Sequence, residues 1–173
     1  MKSRYFERSL EMGKTFEDIV EPIIACEFAS RDNQAYYMNK ANSKLDAANN
    51  RGQRYKNCVD TRDSFPCPDM EVHACGKQIH VEIKCKSSWV NLDGIEYAVI
   101  DAYKVREYEI VKDITLFDEC IYVFGDKRSR SVYMTDSSYK GELRRIPFFK
   151  DAKNPNQQFI CWDISKLKYL GKW

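Results

Sequence analysis

The string Pro68-Asp69-Met70-Glu71-Val72-His73-Ala74-Cys75-Gly76-Lys77-Gln78-Ile79-His80-Val81-Glu82-Ile83-Lys84-Cys85 decides how this chain is read. Apolar residues stand at every second position on either side of Cys75-Gly76-Lys77: Met70 and Val72 before it, Ile79, Val81, Ile83 and Cys85 after it. Alternation of period two around a glycine-containing turn predicts an antiparallel hairpin with one apolar face buried. Successive strand side chains point to opposite faces, so Glu82 and Lys84 share a face, opposite Val81, Ile83 and Cys85. A tight hairpin can then bring Asp69 beside Glu82. Two carboxylates held close repel, and one takes up a proton unless a cation lies between them. A hard divalent ion such as Mg²⁺ resolves that conflict, because it prefers oxygen ligands and keeps several waters. Such an ion can polarise a phosphoryl oxygen and lower the pKa of its bound water. Lys84 is placed to stabilise the attacking hydroxide or the developing phosphorane charge. The outline is that of a phosphodiester hydrolase site.

Upstream, Phe16, Ile19, Val20, Ile23, Ile24 and Phe28 repeat at helical spacing and predict a helix over 13–29, with Glu17, Asp18 and Glu21 elsewhere on it. Pro22 falls inside that pattern and is expected to kink it or leave a carbonyl near residue 18 unsatisfied. Residues 31–57 are polar and rich in Asn. Met38, Ala41, Leu45 and Ala48 form a weak helical stripe that stops near Gly52, and a strand near 54–60 is expected. Between 38 and 57 the bases Lys40, Lys44, Arg51, Arg54 and Lys56 stand against Asp46 alone, which suits a phosphate-facing insertion. Downstream, Asp101 is placed to cap a helix over about 102–113 with Val105, Tyr108 and Val111 inward. Cys120-Ile121-Tyr122-Val123-Phe124 is apolar throughout and fits a central strand covered on both faces. Ser131–Thr135 and Phe159–Trp162 are expected to be later strands, and Ile164–Leu170 a closing element.

Composition narrows the chemistry. The chain has 173 residues, a length that suits one domain, and a net charge of +2. No apolar run is long enough to span a membrane, and MKSRYFERSLEMGK lacks an apolar signal core, so a cytoplasmic protein is expected. The seven glycines allow neither Gly-x-Gly-x-x-Gly nor a Walker loop. Two histidines, His73 and His80, exclude a three-histidine zinc site. Chemistry must rest on carboxylates and lysines.

At this point the chain resembles the PD-(D/E)xK nuclease superfamily. The matching residues are Pro68-Asp69, twelve intervening residues, then Glu82-Ile83-Lys84, preceded by Glu17 in a helix that starts near a glycine. The resemblance implies a mixed α/β, restriction-endonuclease-like fold: an α-β-β-β-α-β core whose mixed central sheet is flanked by helices. The whole chain, 1–173, is then one nuclease-like domain, with its core at about 13–125, a polar insertion at 31–57 and a C-terminal elaboration at 126–173. It further implies that Asp69, Glu82 and the Ile83 backbone carbonyl hold Mg²⁺, for which Mn²⁺ substitutes, and that Glu17 reaches the metal directly or through water. Lys84 would position the nucleophilic water, and the product would carry a 5′-phosphate. A polar residue of the following helix is expected toward the phosphate: Lys104, with Tyr108 one turn on. Lys86, Arg51, Arg54 and Lys56 complete the expected nucleic-acid contacts.

The expected function is therefore a metal-dependent DNA endonuclease, with a homodimer expected for symmetric cutting, in a phage, mobile-element, repair or restriction setting. The alternative is a non-catalytic nucleic-acid-binding or inhibitory protein that keeps the fold. Glu82 and Lys84 also read as the solvent face of an ordinary strand, Glu21 competes with Glu17, and His80 is expected to be half-exposed. Cys58, Cys67, His73, Cys75, His80 and Cys85 crowd one region, but without Cys-x₂₋₄-Cys spacing they are read as free thiols and structural histidines rather than zinc ligands. Lys127, Arg128 and Arg130, and later Lys140, Arg144, Arg145 and Lys150, read as basic clusters in turn-like stretches that can face nucleic acid.

Overall fold

The structure, a computed structural model, describes residues 4–39, 54–56, 64–66, 69–115, 117–146 and 157–173. The first helix, α1 (Arg4–Arg31), is longer than the expected 13–29 and continues through Pro22, which faces solvent. Phe16, Val20, Ile24 and Phe28, one per turn, are buried against the sheet, whereas Ile19 is exposed. This is the apolar stripe that an amphipathic helix lays on a core.

The hairpin forms as expected. Strand β4 (Met70–Ala74) pairs antiparallel with β5 (Lys77–Lys86) through Cys75-Gly76, both at positive φ (53° and 72°), the backbone of a tight primed turn. Asp32, just past α1, accepts a hydrogen bond from the Cys75 N–H at 2.6 Å and ties the turn to the helix end. Ahead of the hairpin the expectation is corrected twice. Met38 lies in a strand, β1 (Tyr36–Asn39), which pairs antiparallel with β4, not in a helical stripe. The segment near 54–60 contributes β2 (Arg54–Lys56), paired only with β3 (Ser64–Pro66) in a separate two-stranded sheet, so the first core strand is β1. Ala41, Leu45, Ala48 and Arg51 lie outside the described residues.

Two further strands precede the second helix and escape sequence reading: β6 (Val90–Leu92) and β7 (Ile95–Asp101). They form a second hairpin turned by Asp93-Gly94, again both at positive φ. The helix α2 (Ala102–Thr115) then leads to β8 (Glu119–Asp126), which runs parallel to β5, from Ile79↔Glu119 to Lys86↔Asp126. Residues 121–126 of β8 are buried on both faces, as its apolar run requires. After it come β9 (Ser131–Met134), β10 (Glu142–Arg145), β11 (Gln158–Asp163), a 3₁₀ turn (Ile164–Lys166) and β12 (Lys168–Lys172). Arg144 and Arg145 thus sit in a strand rather than in a turn.

The central sheet is mixed and has the order β1-β4-β5-β8-β9-β12; a second, antiparallel sheet has the order β10-β11-β7-β6. The series α1, β1, β4, β5, α2, β8 has the expected α-β-β-β-α-β order, with β2 and β3 inserted before β4 and β6 and β7 before α2. One core lies between α1 and the central sheet, around Val20, Ile24, Val81 and Val123. Another lies on the opposite face, where Tyr122 and Phe124 of β8 meet Trp162 of β11 and Tyr108 of α2. Among the described residues no helix is long and apolar enough to cross a membrane.

Candidate active site

Hairpin register puts Met70 opposite Val81, so Asp69 enters the hairpin alongside the Glu82-Ile83 peptide. Its Oδ2 accepts a hydrogen bond from the Ile83 N–H at 2.8 Å. That bond fixes the aspartate at the point where β4 begins. Strand alternation turns Glu82 and Lys84 to the same side, and the Lys84 ammonium donates to Glu82 Oε1. It also lies 3.3 Å from the Ile83 carbonyl oxygen and 3.6 Å from Asp69 Oδ2. Three hard oxygens from Asp69, Glu82 and Ile83 thus converge on one cation.

This face is not solvent. Glu82 is 3% exposed and lies under α2, where the Tyr108 hydroxyl donates to its Oε1. His80, expected to be half-exposed, is fully buried beside it, its ring edge against Tyr108 and tilted on Phe117, with Nε2 3.8 Å from Glu82 Oε2. Burial opposes ionisation of Glu82, but the adjacent Lys84 ammonium, with His80 and Tyr108, outweighs it and holds the carboxyl at about 2. Burial likewise works against the Lys84 charge, and Glu82 and Asp69 reverse it, holding the lysine well above its usual range. For Tyr108 burial is the main cause of an upward shift, so the hydroxyl stays a donor. The reading of this side of the strand as an ordinary solvent face is incorrect for Glu82, which Tyr108 of α2 covers, whereas Lys84 is partly exposed and lines a cleft.

Among the described residues, no three His, Cys, Asp or Glu side chains converge as a metal cluster. The donor set is two carboxylates and a backbone carbonyl, the oxygen chemistry that Mg²⁺ and Mn²⁺ favour. Glu82 Oε2 is buried without a hydrogen-bond partner among the described residues, an acceptor with capacity left for a cation. The set fits a hard divalent ion. Cys75 is an exposed free thiol and Cys85 a half-buried one, while Cys58 and Cys67 lie outside the described residues.

Glu17 lines an adjoining cleft of about 520 Å³ with Gly13, Ile83, Lys84 and Lys86, and the far wall is the second sheet at Val90, Tyr97, Val99 and Phe159. Asp69 and Glu82 stand behind Lys84, outside that lining. Phe16 sets the place of Glu17, since its buried ring packs over Gly125 of β8, where a Cβ would overlap it. Lys104 pairs with Asp101 at 3.9 Å, and the same aspartate accepts from Gln157. Asp101 itself is the last residue of β7. Arg54 and Lys56 belong to β2, their side chains outside the described part. Sequence reading undervalued His80, whose parity with Glu82 and Lys84 was the available signal, and Lys127, a member of a basic cluster that lines the cleft.

No family model and no curated protein matches this chain. Among solved structures it is similar to Hjc of Archaeoglobus fulgidus, a Holliday junction resolvase from an archaeal hyperthermophile, at 13% identity and a TM-score of 0.39, over 72% of this chain and 88% of that one.

Proposed function

We propose that this chain is a divalent-metal-dependent nuclease of the PD-(D/E)xK superfamily, a single nuclease-like domain that hydrolyses DNA phosphodiester bonds as an endonuclease. The observation that carries the reading is the convergence of Asp69 Oδ2, the Glu82 carboxylate and the Ile83 carbonyl on Lys84 Nζ. In this reading Asp69, Glu82 and the Ile83 carbonyl hold Mg²⁺ or Mn²⁺, with Glu17 reaching it directly or through water. A bound ion there supplies Lewis acidity toward a phosphoryl oxygen and a water of lowered pKa.

The chain's own groups do the rest. The Ile83 N–H orients Asp69, and Tyr108 and Lys84 keep Glu82 ionised and in one rotamer. Lys84 holds a positive charge where an attacking oxygen and the phosphorane become negative. Lys86 and Lys104 draw the strand in from the same side, and Arg51, Arg54 and Lys56 add cations from the insertion.

Plasmid, single-stranded DNA, a four-way junction and RNA, each incubated with Mg²⁺, Mn²⁺ or EDTA, test the reading beside Asp69→Ala and Lys84→Ala. The expected result is cleavage that EDTA abolishes and that falls by on the order of 10²–10³ in each variant, as when one electrostatic group is lost from an active site. No cleavage of any substrate, with wild type and variants binding DNA alike, would instead make the chain a non-catalytic nucleic-acid-binding or inhibitory protein.

A further inference from the structure

The sheet face under α2 carries a buried histidine whose nitrogens the proposed chemistry does not use. His80 is fully buried, and neither ring nitrogen has a hydrogen-bond partner among the described residues. Its ring stands edge-on to Tyr108, with centroids 5.4 Å apart, and tilted on Phe117 at 5.5 Å. A phenylalanine or leucine would pack between those rings without losing hydration. An imidazole gives up water at both nitrogens, and nothing printed in the surrounding packing returns it. Buried polar groups in that condition are rare, and one that persists calls for a use.

Register and alternation narrow what that use is. Glu71 stands opposite His80 across the hairpin, but its Oε1 is already bonded to His73 Nε2 at 2.9 Å and to Gln78 Nε2 at 2.7 Å. Two residues along β5, on the same face, Glu82 places Oε2 3.8 Å from His80 Nε2. That oxygen is likewise buried and without a partner among the described residues, whereas Oε1 is taken by both Lys84 and Tyr108. A neutral imidazole carries one N–H and a charged one two, so a donor is present in either state. An unused donor and an unused acceptor thus face each other, about 0.8 Å beyond an ordinary N–H···O separation of about 3.0 Å. The terminal torsion of a glutamate is broad, and donors on Oε1 alone leave Oε2 to swing. Mg²⁺ demands near-octahedral oxygen geometry, so the plane of a ligating carboxylate has to be set.

We infer that His80 is a positioning residue for the metal site: its Nε2–H serves Glu82 Oε2 and fixes the plane in which that carboxylate is offered to a hard divalent ion. His80 touches neither ion nor substrate and acts through Glu82. Hydrogen bonds of this kind are often long in an unfilled site and shorten once it is filled. The inference rests on the reading of Glu82 as a metal ligand, and its test needs no cleavage.

The test is Mn²⁺ binding to the full chain without nucleic acid, read from the loss of the free-ion signal in electron paramagnetic resonance. Wild type is compared with Glu82→Gln, with His80→Phe, which keeps a ring and removes both nitrogens, and with His80→Gln, whose amide N–H stands in for Nε2–H. Glu82→Gln should lose the site. His80→Phe is expected to weaken Mn²⁺ binding by about 10–100-fold, the range for loss of a group that orients a metal ligand. His80→Gln should return most of that loss. Denaturant midpoints, measured beside them, establish which variants are folded; a merely structural histidine would move the midpoint and leave the Mn²⁺ affinity of the folded protein unchanged. Should His80→Phe not fold, imidazole nitrogen NMR of wild type decides: Mg²⁺ should shift the His80 Nε2–H signal, assigned by its absence in His80→Gln, and an unmoved signal overturns the inference. Equal Mn²⁺ affinity in His80→Phe and wild type, or an affinity in His80→Gln as low as in His80→Phe, overturns it as well. Wild type that binds no Mn²⁺ overturns it together with the metal reading. Mn²⁺ bound in the expected ranking, without cleavage of any nucleic acid, sinks the nuclease reading alone.

Discussion

At the scale of single residues, Glu82 is the costly one. A carboxylate 3% exposed persists as an anion only because Lys84 and Tyr108 both bond it. Removing either partner should therefore show in stability as well as in activity. Tyr108→Phe deletes a hydrogen bond to a charged group, and denaturant titration should show a loss of about 1.5–3 kcal/mol. Lys84→Ala leaves Glu82 without its counter-charge and should cost more, on the order of 3–5 kcal/mol. A Lys84→Ala protein as stable as wild type would mean that the ammonium does not neutralise Glu82.

At the scale of elements, α1 is held at three places along its length. Phe16 lies over Gly125, Glu27 pairs with Lys168 of β12, and Asp32 caps the hairpin turn. Gly125→Ala pushes a methyl group into the Phe16 ring. Overpacking of this kind should lower stability by about 1–3 kcal/mol in a melting experiment. Because Phe16 also sets the position of Glu17, the cleft mouth should widen. Burial tends to raise the Glu27 carboxyl, but hydrogen bonds from Lys168 and Arg31 lower it below its ordinary 4.5. Its folded-state pKa is depressed, so its stabilisation is complete above pH 4.5 and is lost as pH falls through the folded value. Lys168 is half-exposed, which keeps the contribution within about 0.2–1 kcal/mol. Denaturation midpoints between pH 7 and pH 3 should fall less steeply for Glu27→Gln than for wild type.

At the scale of the molecule, the second sheet docks on the first through aromatic contacts. Trp162 of β11 is buried, its ring centroid 4.9 Å from Tyr122 and 5.4 Å from Phe124, both on β8. Its indole N–H donates to the Tyr139 carbonyl at 3.2 Å. Trp162→Ala should cost about 3–5 kcal/mol. Hydrogen exchange should speed up first in β7 and β11, before the β5–β8 pair. Uniform acceleration across both sheets would show that they unfold as one unit.

The hairpin, the two helices and the central strand were legible because each is a local pattern: alternation around Cys75-Gly76, the one-per-turn stripe from Phe16 to Phe28, the apolar run 120–124. The same alternation put Glu82 and Lys84 on one face, and β4–β5 pairing brings Asp69 to them. The second sheet was not legible in the same way, although Asp93-Gly94 is a hairpin signal. Its strands β7 and β11 pair although α2, β8, β9 and β10 lie between them along the chain, a long-range event that no local period reveals. For the same reason the burial of His80 and Glu82 could not be read from the strand itself. Alternation specifies that two side chains share a face; whether that face meets water or Tyr108 depends on where α2 lands. Which residues stand together follows from local order along the chain, since strand and helix periods are set by backbone geometry. That they stand in a buried, charge-coupled pocket beside a cleft follows from the packing of distant segments, which is the source of burial and electrostatic coupling.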